Sequence, residues 1–139
     1  PDRLSLDHYP FTAAIPTRWA DLDLLGHINN VSMAGLFEEG RARFNRSLAL
    51  GHPKGVRWLI AAVELNYLAE AHHPHDVTIA SGIGRIGTKS WTIVSGAFQQ
   101  GVCVATCDTT LAYTDPSGPQ PFPESFRAKF ESMMAGKPA

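Results

Sequence analysis

Residues 18–41 read RWADLDLLGHINNVSMAGLFEEGR, a polar, turn-prone run that passes without a break into a helical pattern. Over residues 30–50 the apolar side chains Met33, Leu36, Phe37, Phe44 and Leu48 recur at helical spacing, with Glu38, Glu39, Arg41, Arg43 and Arg46 between them. That spacing predicts one long amphipathic helix over residues 30–50. Asn29 or Asn30 suits its N-cap, because a short polar side chain accepts a hydrogen bond from a free N–H of the first turn. Gly51 suits its stop. Glu38 and Glu39 read with Arg41 and Arg43 as a solvated, ion-paired face. Gly40 costs about 1 kcal/mol relative to Ala inside a helix, which implies close packing against another backbone.

Outward from this helix the period changes to two. Residues 11–19 (FTAAIPTRW) predict a first strand, and Pro16, which has no N–H for a ladder, marks an edge or bulge in it. Residues 57–68, 77–86, 90–98 and 102–113 predict four more, separated by Gly-, Pro- or polar-rich turns. Without crossover helices between them, the later strands should pair mostly antiparallel. The expected class is therefore α+β, one long central helix wrapped by an antiparallel sheet of about five strands. Residues 116–123 read as a turn-rich linker, and residues 123–134 as a short terminal helix with Pro123 at its start. A chain of 139 residues with 44% hydrophobic content suffices for one core, so a single domain over residues 1–139 is expected.

The charge balance excludes one class of partner. With 12 Lys and Arg against 13 Asp and Glu, the net charge of -1 offers no field to hold a nucleic acid. No apolar run approaches the roughly 20 residues a membrane span requires, and the opening PDRLSLDHYPF lacks the order of a signal peptide. Cys103 and Cys107, four apart in an alternating segment, would share a strand face yet lie too far apart to bridge. They read as reduced thiols, and a cytoplasmic location is expected.

The run D-L-D-L-L-G-H-I-N-N from Asp21 to Asn30, leading into the helix, resembles the signature of the hotdog-fold acyl-CoA thioesterases, in particular the 4-hydroxybenzoyl-CoA thioesterase-like family. Residues 63–71 (VELNYLAEA), 84–94 (GRIGTKSWTIV) and 111–126 (LAYTDPSGPQPFPESF) are similar to later parts of that family, so the resemblance covers nearly the whole chain. It implies a hotdog fold and hydrolysis of an acyl-CoA to a free acid and coenzyme A. It places the reactive carboxylate at the second Asp, Asp23, leaving Asp21 as the structural member of the pair. Two positions depart from the family pattern: Met33 stands where an aromatic residue is usual, and Gly35 where a basic one often occurs. Both substitutions reshape an acyl pocket.

The same residues make chemical sense apart from the resemblance. A thioester carbonyl has weak resonance stabilisation, and its thiolate leaves with a pKa of about 8.5, so expulsion needs little acid assistance. A carboxylate beside a helix N-terminus can attack, or activate water, while unpaired backbone N–H groups stabilise the oxyanion. Asp23 lies on the approach to the helix, Gly26 lets backbone approach substrate closely, and His27 would orient water or bind the carbonyl. The competing structural readings are a turn or cap carboxylate for Asp23 and a packed, loop-bonded histidine for His27. Asn29 and Asn30 read first as caps and loop ties, with Asn30 and Met33 also placed to touch substrate.

Glu64 alternates with apolar neighbours in VELNY, which would point it towards the helix as a further catalytic candidate; the competing reading is a strand glutamate paired with a base. Arg85, Lys89 and Ser90 surround the turn RIGTKS and could take the phosphates of coenzyme A, although basic turn residues are commonly just solvated. His72, His73 and His75 share a Pro-containing turn from which histidines rarely converge on one ion, so no metal and no cofactor is expected. Trp58 and Trp91 read as core or interface residues. A sheet of this size leaves edges exposed, and pairing two copies edge to edge protects them. The resemblance implies a homodimer at least, or a homotetramer, with active sites at the subunit interface. Two other functions stay open on the same fold: an acyl-CoA-binding or regulatory module, and a hydratase or dehydratase.

Overall fold

The apolar stripe of the predicted helix is buried by one curled antiparallel sheet. A computed structural model describes residues 2–136. Its elements are β1 (Phe11–Ile15), α1 (Asn30–Leu48), β2 (Arg57–Tyr67), β3 (Val77–Ile86), β4 (Ser90–Gln99), β5 (Val102–Asp115), β6 (Gly118–Pro119) and α2 (Glu124–Ser132). The strand order is β1-β3-β4-β5-β2, every pair antiparallel, with β6 added beside β5. The architecture is the α+β hotdog arrangement expected from the sequence. β1 and β2, neighbours along the chain, form opposite edges of the sheet, and α1 is the link between them.

The side chains that set the helical period do the packing. Met33, Leu36 and Phe37 meet Val77, Ile79, Ala97 and Val104, while Phe44 and Leu48 meet Trp91, Ile93 and Leu111. Gly40 does mark a close approach, but to a side chain rather than a backbone: a Cβ there would lie 2.3 Å from Cγ2 of Ile79. Asn29 is the N-cap, its side chain accepting from the Ser32 N–H. The helix ends earlier than Gly51, at Ala49 in the left-handed conformation, whose carbonyl also accepts from Lys129 Nζ. β1 stops at Ile15 because Pro16 cannot continue the ladder, and Trp19–Asp21 makes a 3-10 turn instead. The expected linker holds the short β6, and Pro123 caps α2 rather than beginning it.

Two expectations about faces are corrected. The β4–β5 register shifts between Ala97 and Phe98, where Ala105 and Cys103 are the successive partners, so one residue of β5 is bulged out. Cys107 then joins the cluster under α1, while Cys103 packs with Tyr9, Ala80 and Phe98 on the far side of the sheet. Arg41 is not on a solvated face. It is only 8% exposed and donates from Nη1 to the Thr109 hydroxyl at 3.1 Å beneath β5. Glu39 and Arg43 do form the expected exposed pair, at 2.9 Å. Among the described residues no helix is long and apolar enough to cross a membrane.

Candidate active site

The segment between β1 and α1 is held by its own polar groups. Asp21 is buried; its carboxylate accepts from the Arg18 N–H at 2.9 Å and the Arg18 guanidinium at 2.7 Å. The guanidinium holds this carboxyl below the usual carboxylate range. The Asp21 carbonyl accepts both from the Asn29 N–H, at 2.8 Å, and from Asn29 Nδ2, at 2.9 Å. Asp21 thus closes the loop onto the helix cap.

Inside that loop, residues 22–28 form a tight hairpin. Asp23 N–H donates to the His27 carbonyl at 2.8 Å, Gly26 N–H donates to the Asp23 carbonyl at 3.1 Å, and Leu22 bridges Ile28. Gly26 has φ +82°, where a Cβ would be strained; its role here is the turn, and it does not line the cleft described below. Asp23 Oδ1 accepts from the N–H groups of His27, at 3.1 Å, and Leu25, at 2.9 Å. The His27 N–H chiefly, then that of Leu25, holds the Asp23 carboxyl below the usual range. Oδ2 has no hydrogen bond among the described residues.

The first turn of α1 has free donors, one of them on the side of this carboxylate. The Asn29 N–H goes to Asp21, Ser32 N–H to the cap side chain, and Met33 N–H makes the first intrahelical bond to Asn29. Among the described residues the N–H groups of Asn30 and Val31 remain unpaired, that of Asn30 on the Asp23 side and that of Val31 beside a pocket lined by Asp21, Ser32 and Gly35. Asp23, His27, Asn30, Met33, Tyr67 and Glu70 border a cleft of about 370 Å³. Tyr67 closes one side by donating its hydroxyl to the Asn30 carbonyl at 3.1 Å. His27 Nε2 lies 3.1 Å from Glu70 Oε2, and its ring meets the edge of His72 at 5.1 Å between centroids. A larger groove of about 920 Å³ runs beside Val56, Leu59, Ile60, Pro116 and Pro119, with Asp115 as its one lining carboxylate among the described residues.

The structure gathers Asp23, His27, Asn30 and Met33 and separates the other candidates. Glu64 is corrected: Leu65 packs on the helix side, so Glu64 points to the opposite face, opposite Asp108 of β5. Arg85, Lys89 and Ser90 sit on the β3–β4 turn, at the end of the sheet where Trp91 packs on the C-terminal half of α1. Within one chain that turn is remote from Asp23. His72, His73 and His75 are engaged in building the loop: Gln99 binds the backbone of His72 and His75, and the Thr17 hydroxyl meets His73 Nδ1 and the His75 carbonyl. Trp91 is fully enclosed and Trp58 partly so, both in the aromatic cluster. Sequence reasoning missed Glu70, since nothing in its local pattern shows that residues 70 and 27 become neighbours. The arrangement can polarise a carbonyl at the helix terminus and bring a carboxylate, or a water held by one, to its carbon.

The model of the thioesterase-like superfamily matches residues 17–130. A Pseudomonas aeruginosa protein superposes with a TM-score of 0.85 at 21% identity, over 98% of this chain and 99% of its own. A predicted thioesterase from Bacillus stearothermophilus gives 0.81 at 30% identity, over 92% and 98%. A Thermus thermophilus thioesterase, solved with coenzyme A and zinc, gives 0.81 at 23% identity, over 96% and 99%. No curated protein matches the chain.

Proposed function

The chain belongs to the thioesterase-like superfamily and is a thioester hydrolase, and from that premise we propose that one domain along its length cleaves an acyl-CoA to a carboxylic acid and coenzyme A. The observation that carries this reading is Asp23, ionised at neutral pH and with Oδ2 uncommitted, bordering one cleft with Asn30, whose N–H is free at the start of α1. The Thermus thermophilus neighbour's coenzyme A supports the choice of carrier.

The uncommitted Oδ2 of Asp23 supports a general-base route through water. The thioester oxygen accepts from the N–H of Asn30, a bond that strengthens as negative charge develops on it. Asp23 Oδ2 takes a proton from water as the water oxygen bonds to the carbonyl carbon. Collapse of the tetrahedral adduct breaks the C–S bond, the electron pair leaves on sulfur, and the Asp23 carboxyl returns the proton to the thiolate. Met33 floors the acyl side of the cleft in this reading.

Oligomerisation belongs to the same proposal. Among the described residues β2 has β5 on one side and no strand on the other, and Leu59, Ile60, Val63, Tyr67 and Leu68 along it are about half exposed. Trp19, Leu24, Leu25 and Val31 around the Asp23 loop are more exposed still. A second copy paired along β2 would cover both sets and would be needed to bring a basic turn such as Arg85–Ser90 towards Asp23. A monomer by light scattering would remove this part.

The test is thiol release from short, long and aromatic acyl-CoAs by the wild type and by Asp23→Asn. Loss of about 10²–10⁴-fold in kcat, with circular dichroism unchanged, is expected for removal of the reacting group. Equal rates for the two proteins would defeat the assignment of Asp23.

A further inference from the structure

We propose that Glu70 is a positioning residue for this reaction: its carboxylate takes the Nε2–H of His27, leaving Nδ1 as an acceptor, so that His27 holds the attacking water rather than the thioester carbonyl. The inference rests on the hydrolase reading above and concerns a residue that the sequence pattern did not single out.

The chemistry follows from one contact. His27 Nε2 and Glu70 Oε2 are 3.1 Å apart. A neutral imidazole carries one N–H and one lone pair, and an ionised carboxylate only accepts. With the imidazole neutral and the carboxylate ionised, the shared hydrogen belongs to Nε2 and the lone pair to Nδ1. A carbonyl oxygen needs a donor, which Nδ1 then is not; a water can donate to it. The carbonyl already has a donor in the first turn of α1. The labour divides accordingly: the helix terminus holds the carbonyl, Asp23 takes the proton, and His27 accepts a hydrogen bond from the water without receiving a proton.

The backbone around Glu70 is built to hold this contact. Leu68 and Ala69 both donate to the Val104 carbonyl, at 2.8 and 3.1 Å, and Ile28 donates to the Ala71 carbonyl at 2.8 Å. The last bond ties the residue after His27 to the residue after Glu70. Ala71 is buried in the core, and Gln99 clamps His72 through its N–H at 2.8 Å and its carbonyl at 2.6 Å. The His72 ring in turn limits the swing of the His27 ring. Glu70 itself is 65% exposed at its side chain against 26% for His27, so the pair adds little to stability. Its expected effect is on geometry and tautomer.

The experiment combines ¹⁵N NMR of the histidine side chains, with His27→Gln to assign the signal, and steady-state kinetics of wild type, Glu70→Gln and Glu70→Asp. In the wild type the His27 signal should be that of the Nε2–H tautomer, and in Glu70→Gln a mixture, because an amide can donate or accept. Glu70→Gln should lower kcat by about 10-fold or more with KM unchanged, as for other groups that orient a reacting histidine from behind. Glu70→Asp, which keeps the charge, should recover part of the loss. An Nδ1–H tautomer in the wild type overturns the proposal. So does an unchanged kcat in Glu70→Gln while Asp23→Asn is inactive. A wild type without Asp23-dependent thiol release overturns the hydrolase reading instead, and the kinetic role of Glu70 with it.

Discussion

At the C-terminal end of α1, Phe44 and Leu48 run into the rings of Trp91, Phe122, Phe126 and Phe130, whereas at its N-terminal end Asp23, His27 and Asn30 border an open cleft. The first end is sealed: Trp91 and Phe130 lie 4.8 Å apart between centroids, Phe122 meets Phe130 at 5.4 Å, and Phe44 and Phe130 have no exposed surface. The second keeps backbone donors unpaired and a carboxylate exposed. The contrast teaches where each property of the molecule resides. Apolar area removed from water holds the helix at one end, and groups denied an internal partner are left for chemistry at the other.

This contrast can be broken from either side. Phe130→Ala, which empties the sealed end, should cost about 3–5 kcal/mol in urea unfolding while the folded fraction keeps its kcat/KM. A stability loss below about 1 kcal/mol would show that α2 is not part of the core. Asp23→Asn should do the reverse, ending turnover with the melting midpoint unmoved. Asn29→Ala removes the cap bond to Ser32 and the side-chain tie to Asp21, leaving the backbone one. It should cost about 1 kcal/mol and also lower kcat, because it loosens the turn that presents the Asn30 N–H. Unaltered kcat in that variant would detach the helix terminus from the reaction.

The smallest effect is in the acid limb of the pH profile. Asp23 is held below the usual carboxylate range chiefly by the His27 N–H. Its charged form is therefore kept at pH values where a free carboxylate would already be protonated, and activity should fall only as pH drops through the lowered value. The same sign applies to Asp21: its Arg18 contact contributes stability that is present above the unfolded pKa and lost as pH falls through the folded one. A kcat/KM limb at or above the ordinary carboxylate range would contradict the hydrogen bonding seen at Asp23.

Much of this was legible in the chain because it is local. A cap at Asn29 or Asn30, the α1 pattern and the turn reading of Asp23 depend on residues within a few positions of one another, although Gly26 serves that turn rather than an approach to substrate. The failures are of another kind. Glu64 was expected to face the helix from alternation alone, but alternation gives two faces without naming the inner one; the packing of Leu65 decides it. Cys103 and Cys107 were placed on one face by a period of two that the bulge interrupts. Arg41 was assigned to water by its charge, yet its place in the helical wheel puts it beneath Thr109.

The sequence by itself determined the α+β class and the long helix, because periodicity and capping act over one or two turns of chain, and its resemblance to a known signature singled out the carboxylate–glycine–histidine loop ahead of it. Only the tertiary structure decided which edge of the sheet stays open, which face Glu64 takes, and that Glu70 meets His27 across 43 positions. Those outcomes depend on strand order and register, which arise from the packing of distant segments and leave no mark on the local pattern of either one.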